Sequence, residues 1–97
     1  MGQTEEQRRY PRYELAERAS ILMGPTTFIF SETVDISRGG ACIRIPNRFA
    51  VMAGELLQLA SAHIGAQRAA RVVSVSPRGM HCAFDQPLAL SMAGKAF

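Results

Sequence analysis

The chain has 97 residues, 47% of them hydrophobic and 20% charged, with a formal net charge of +3. That length holds one small domain, whose folding buries roughly 65% of the surface the unfolded chain exposes, and the composition lies outside the disordered and collagen-like classes. No apolar run reaches the length of a membrane span, so weak a net charge argues against DNA or RNA as partner, and neither cysteine has a second thiol at zinc or redox spacing.

The amino terminus begins Met1-Gly2-Gln3-Thr4-Glu5-Glu6, with acid where an export signal needs base, so a cytoplasmic location is expected. Thr4 and Gln7 have the spacing of a capping box, but Pro11 stops any helix there, and a helix so short is marginal in water. Residues 1–12 are therefore read as a flexible basic arm and residues 13–97 as the folded domain.

Beyond the arm the pattern is strand-like: Ala16 to Met23, a turn at Gly24-Pro25, then Thr27 to Asp35. Period two assigns Phe28, Phe30, Val34 and Ile36 to the core, with Glu32 out of place in that set, and puts Asp35 on the outer face toward solvent or a ligand. After Gly39-Gly40, Ala41 and Ile43 keep one face and Pro46-Asn47 ends the run. Gly54 precedes a strand over Glu55 to Ala60, Gly65 one over Gln67 to Val75, and Pro77-Arg78-Gly79 turns the chain into Met80 to Phe84. Six short strands with almost no helical period predict an all-β fold, a six-stranded antiparallel barrel whose closure removes exposed edges. Asp85, Pro87 and the spacing of Leu88, Met92 and Ala96 predict a short carboxy-terminal helix over one barrel mouth.

No nucleophile has a catalytic setting, so no enzyme activity, no catalytic residue, no metal and no cofactor are expected. Cys42 and Cys82 read as small buried hydrophobes. His81 and Cys82, adjacent on a strand, point to opposite faces and do not share a metal. His63 reads as structural or solvated. Two segments stand out. Arg8-Arg9-Tyr10-Pro11-Arg12 gathers guanidiniums, which grip phosphate oxygens bidentately and stack on bases. Asp35-Ile36-Ser37-Arg38-Gly39-Gly40 is a turn that read alone is a common Asp-x-Ser opener, with both side chains bonding local amides. Ten of the eleven cations are arginine and the chain carries fourteen alanines, so coding bias explains the composition but not the clustering.

The arginines four apart, Arg8 and Arg12, followed by Asp-x-Ser-x-x-Gly at Asp35, Ser37 and Gly40 in a small barrel, resemble the PilZ domain family of bacterial cyclic di-GMP receptors. The resemblance runs from about Arg8 to Phe84. It implies a ligand held between arm and barrel, with Arg8, Arg9 and Arg12 on phosphates and guanine edges, Asp35 accepting from guanine N1 and N2, and Ser37 bonding a base edge or ordering the turn. Arg38 becomes an extra phosphate contact, and Gly39 and Gly40 let backbone approach the ligand. It also implies signalling by ordering of the arm and a downstream protein partner in motility, biofilm or exopolysaccharide control. A PilZ-like adaptor that binds no nucleotide and works through protein contacts is the alternative.

Overall fold

The computed structural model describes residues 10–46 and 49–88, which form seven strands and, among the described residues, no helix. They are β1 (Tyr13–Glu14), β2 (Arg18–Met23), β3 (Thr27–Ile36), β4 (Gly40–Ile43), β5 (Leu56–Ser61), β6 (Gly65–Ser76) and β7 (Gly79–Phe84). The lateral order is β3-β2-β5-β6-β7-β4, and β4 pairs back to β3. Six strands thus close into the expected antiparallel barrel, and the two-residue β1 is added along β3. Closure leaves the ring no continuous open edge for another chain to pair with.

β1 and β2 run along the same edge of β3, with Tyr13 opposite Ile36 and Arg18 opposite Glu32, so one surplus residue must be absorbed between them. Thr33 spans that kink. Its hydroxyl, 1% exposed as a residue, accepts from the Glu17 N–H at 3.0 Å and donates to the Leu15 carbonyl. Glu17 ties the same kink to the β5–β6 hairpin, where the Ser61 hydroxyl (2.5 Å), the His63 N–H (3.1 Å) and the His63 Nδ1 (2.7 Å) meet its carboxylate. Burial pushes the Glu17 carboxyl up, but the bonds from Ser61 and His63, together with the charge of His63, hold it below the usual carboxylate range.

The interior is packed by buried Ile21, Ile36, Ile43, Leu59, Val72 and Met80, contributed by six different strands, with Cys82 among them. Cys42 is also buried, and both thiols are free. The assignment of Phe28 and Phe30 to this core is wrong: they are 51% and 63% exposed and stack edge to face outside the barrel at 5.1 Å. Ile29, opposite Ile21, takes the inward position instead. The cause is a register shift between Thr33 and Asp35 in the β3–β4 pairing. Thr33 faces in, and after the shift Ile36 faces in as well, so one phase does not extend along the strand.

The helix expected from Asp85 onward is not formed by residues 85–88, which run as a bend and irregular chain. Leu88 is buried in the core, and both its backbone groups are committed elsewhere: its N–H donates to the Arg38 carbonyl at 2.7 Å and its carbonyl accepts from Arg38 Nε at 3.0 Å. The rest of that helix, like residues 1–9 of the arm with Arg8 and Arg9, lies outside the described residues.

Thr33→Val removes a hydroxyl serving two backbone groups, and it is expected to cost about 1–3 kcal/mol, read as a melting midpoint lowered by several degrees. Because the Glu17 pKa is depressed in the folded state, its contribution is fully present above the ordinary value of 4.5 and is lost as pH falls through the lower folded value. Glu17→Gln is therefore expected to lower stability at neutral pH and to flatten the loss on acidification below that ordinary value, measured by denaturant unfolding across pH.

Candidate functional site

Directly paired residues on antiparallel strands share a face. Glu14 is opposite Asp35, Asp35 opposite Cys42, Cys42 opposite His81, and His81 opposite Ser74. Pairing thus carries one transverse row across β1, β3, β4, β7 and β6 on the outside of the barrel.

Outside is not the same as exposed. The Asp35 side chain is only 8% accessible, because two guanidiniums cover it: Arg78 donates Nη2 to Oδ2 at 3.2 Å, and Arg12 Nη2 lies 3.7 Å from the same oxygen. Asp35 is on the outer face as expected, but of the two surroundings expected there, solvent or a ligand, open solvent is not what it meets. A carboxylate withdrawn this far from water requires such partners. One buried carboxylate thus meets two guanidiniums, with exposed Glu14 opposite it on β1 as the other acid of the row.

On the β4 side of Asp35 the row continues through Cys42, His81 and Ser74. His81 Nε2 meets the Ser76 hydroxyl at 3.0 Å and the Cys42 Sγ at 4.0 Å. Burial, reinforced by Arg12 and Arg78 and opposed by Asp35, holds His81 below the ordinary histidine range. Burial likewise pushes the Cys42 thiol up, with Asp35 adding to the shift and Arg78, Arg12 and Arg44 opposing it. Cys82, behind it in the core, is pushed up to about 12 by burial, with Cys42 adding to it.

The turn after β3 is held by Ser37. Its buried hydroxyl accepts from the N–H groups of Gly39 and Gly40, each at 3.2 Å, and its own N–H donates to the Gly40 carbonyl at 2.8 Å. Ser37 therefore orders the turn. Gly40 faces β7, where a Cβ would collide with the Cys82 carbonyl oxygen, so this glycine serves close strand packing. Gly39 accepts from the Phe84 N–H through its carbonyl at 2.9 Å. Arg38, at the exposed tip, stacks on the Tyr10 ring at 5.0 Å while bonding Leu88.

Of the expected site residues, the structure brings Arg12 and Asp35 into contact and arranges Ser37, Arg38, Gly39 and Gly40 in the adjoining turn; Arg8 and Arg9 lie outside the described residues. Sequence reasoning missed Arg78 and His81. The tripeptide Pro77-Arg78-Gly79 reads as a turn and nothing more until the register puts its arginine beside Asp35. A separate hollow of about 540 Å³ lies next to Phe30, lined by Arg18, Ser20, Ala60 and Ala66 among others, and has no comparable convergence of charge. Among the described residues no group of three or more His, Cys, Asp or Glu side chains gathers as a metal site, and no helix is long and apolar enough to cross a membrane.

A small closed barrel that carries a masked carboxylate between arginines at a strand end gathers the donors and the acceptor that hold a polar ligand. The PilZ domain family model matches residues 6–93, nearly the whole chain, and the chain belongs to that family. No curated protein matches it. PilZ domains are cyclic di-GMP receptors, a ligand-binding and not a catalytic family, which supports a cyclic di-GMP-binding role in general.

With both thiols buried and their pKa values raised, neither is expected to react with an alkylating reagent in the folded protein at mildly alkaline pH, while both react in denaturant. Mass spectrometry of native and unfolded samples checks this.

Proposed function

We propose that this chain binds cyclic di-GMP at the Asp35 corner and signals through its amino-terminal arm. The observation that carries the reading is the contact between Arg12 and Asp35, which joins the family's two motifs in one cluster. A carboxylate accepts from guanine N1–H and N2–H2 together, and arginines supply bidentate phosphate bonds and stacking. Arg12 and Asp35 take these roles, with Arg8 and Arg9 as further cations, Arg38 as an extra phosphate contact, Ser37 holding the turn, and Gly39 and Gly40 keeping it compact.

Each charge-assisted bond contributes about 1.5–3 kcal/mol, and ordering the arm costs about 1 kcal/mol or more per residue. The two nearly offset, so affinity is set at micromolar to submicromolar and the ordering of the arm is itself the signal. Binding then changes the surface offered to a downstream protein in the bacterial cytoplasm, without DNA, RNA or membrane insertion. The alternative, an adaptor acting through protein contacts alone, is favoured by the exposed Phe28–Phe30 pair. Those rings stand on one strand and not on adjacent strands, unlike an RNA-stacking platform.

Calorimetric titration with cyclic di-GMP, GTP and a short single-stranded RNA is expected to give heat with the first at micromolar or tighter affinity. Arg8→Ala and Arg12→Ala are expected to weaken cyclic di-GMP binding at least about tenfold with nearly unchanged melting. Asp35→Ala weakens binding and narrows the preference for cyclic di-GMP over cyclic di-AMP. Absence of heat from the wild-type protein overturns this reading in favour of the adaptor.

A further inference from the structure

We infer that Arg78 is a ligand-contacting residue of this site: its guanidinium holds Asp35 in the structure and, on binding, exchanges that carboxylate for an anionic phosphate of the ligand. The inference rests on the cyclic di-GMP reading and adds a residue, a competition and a requirement for ligand charge.

The argument begins with shape. A guanidinium and the N1–H/N2–H2 edge of guanine both offer parallel N–H donors to a carboxylate. Arg78 already bonds Oδ2 of Asp35 at 3.2 Å, and Arg12 crowds the same oxygen at 3.7 Å. With the Asp35 side chain only 8% accessible beneath these two groups, a base edge reaches the carboxylate only when a guanidinium moves aside.

Arg78 is the side chain built to let go. Its backbone is fixed, because the N–H of Arg78 donates to the Ser76 hydroxyl at 3.2 Å, and the next residue, Gly79, has φ 145° with the Ile43 carbonyl oxygen where a Cβ would be. Its side chain is 50% exposed, against 33% for Arg12, so the guanidinium pivots from an anchored hairpin.

Charge then decides what the ligand must carry. A guanine edge is neutral, so putting it in place of Arg78 removes a counter-charge from a carboxylate that is 8% exposed. The charges acting on neighbouring Cys42 are Asp35 on one side and Arg78, Arg12 and Arg44 on the other, so the released guanidinium moves through surroundings already rich in positive charge. Glu14, opposite Asp35 on β1, is the acid in register with the site; it offers a single charge on an exposed strand end. His81, held below the ordinary histidine range, adds no anion. Phosphate oxygens supply the compensating charge, and binding of the base becomes conditional on the phosphates that come with it.

The test is calorimetric titration of wild type, Arg78→Ala and Arg78→Lys with cyclic di-GMP at low and high salt, with guanosine as a neutral probe and melting temperature as a fold control. Wild type is expected to bind cyclic di-GMP in a salt-dependent manner and to give no heat with guanosine. Arg78→Ala is expected to weaken cyclic di-GMP binding by roughly tenfold to a hundredfold and to make the affinity distinctly less sensitive to salt. Arg78→Lys restores the salt sensitivity but only part of the affinity, since a point charge replaces a fork. An Arg78→Ala protein that binds as well as wild type, or that binds more weakly with unchanged salt sensitivity, overturns the inference and leaves the cyclic di-GMP reading intact. A wild-type protein that gives no heat with cyclic di-GMP overturns that reading, and this inference with it.

Discussion

β3 is the strand on which the barrel closes, and it must satisfy partners along both of its edges: β2 and β1 on one side, β4 on the other. A pleated strand offers two faces in strict alternation, and a shift of one residue exchanges them. The shift between Thr33 and Asp35 lets the first half of β3 send Ile29 and Thr33 inward and the last part send Ile36 inward. Everything at the candidate site follows from it. Asp35 is turned onto the outer row with Cys42 and His81, while its neighbours Thr33 and Ile36 still seal the core. Thr33 stabilises the kink on one edge with a single hydroxyl, at the point where β1 gives way to β2.

The fold was legible because short apolar runs between Gly, Pro and Asn turns are a local signal, and closure of a small sheet follows from the cost of open edges. The phase of β3 was misread for an equally physical reason. Alternation extended through the whole strand makes Phe28 and Phe30 core and leaves Glu32 unexplained. Glu32 was the sign that the phase does not continue: in the structure it is half-exposed on the outside with both phenylalanines and pairs with Arg44 at 3.6 Å. Residues 85–88 do not open the expected carboxy-terminal helix because local capping signals at Asp85 and Pro87 say nothing about the long-range bonds between Leu88 and Arg38.

The site divides in the same way. Asp35, Ser37 and Gly40 are close in sequence, and their spacing alone implied a turn, which Ser37 duly ties together. Arg12 lies 23 positions upstream of Asp35, and only the family resemblance ties it to them. Arg78 is 43 positions from Asp35 and His81 is 39 from Cys42, so their association depends on strand register, which a single sequence does not print. Burial of Asp35 is not legible for that reason, since it is produced by Arg78 arriving from another hairpin together with Arg12 from the segment before β1. A carboxylate that looks available in the sequence is, in three dimensions, already engaged.

Arg38 stands where the two ends of the described chain converge, its guanidinium under Tyr10 and its Nε on the Leu88 carbonyl. The amino- and carboxy-terminal segments are thus mechanically spliced at one residue of the motif turn. A substitution at Arg38 therefore loosens both segments at once. Labelling schemes for this protein are therefore better carried by the hairpin at Gly24-Pro25, which sits at the opposite end of the ten-residue β3 from that junction.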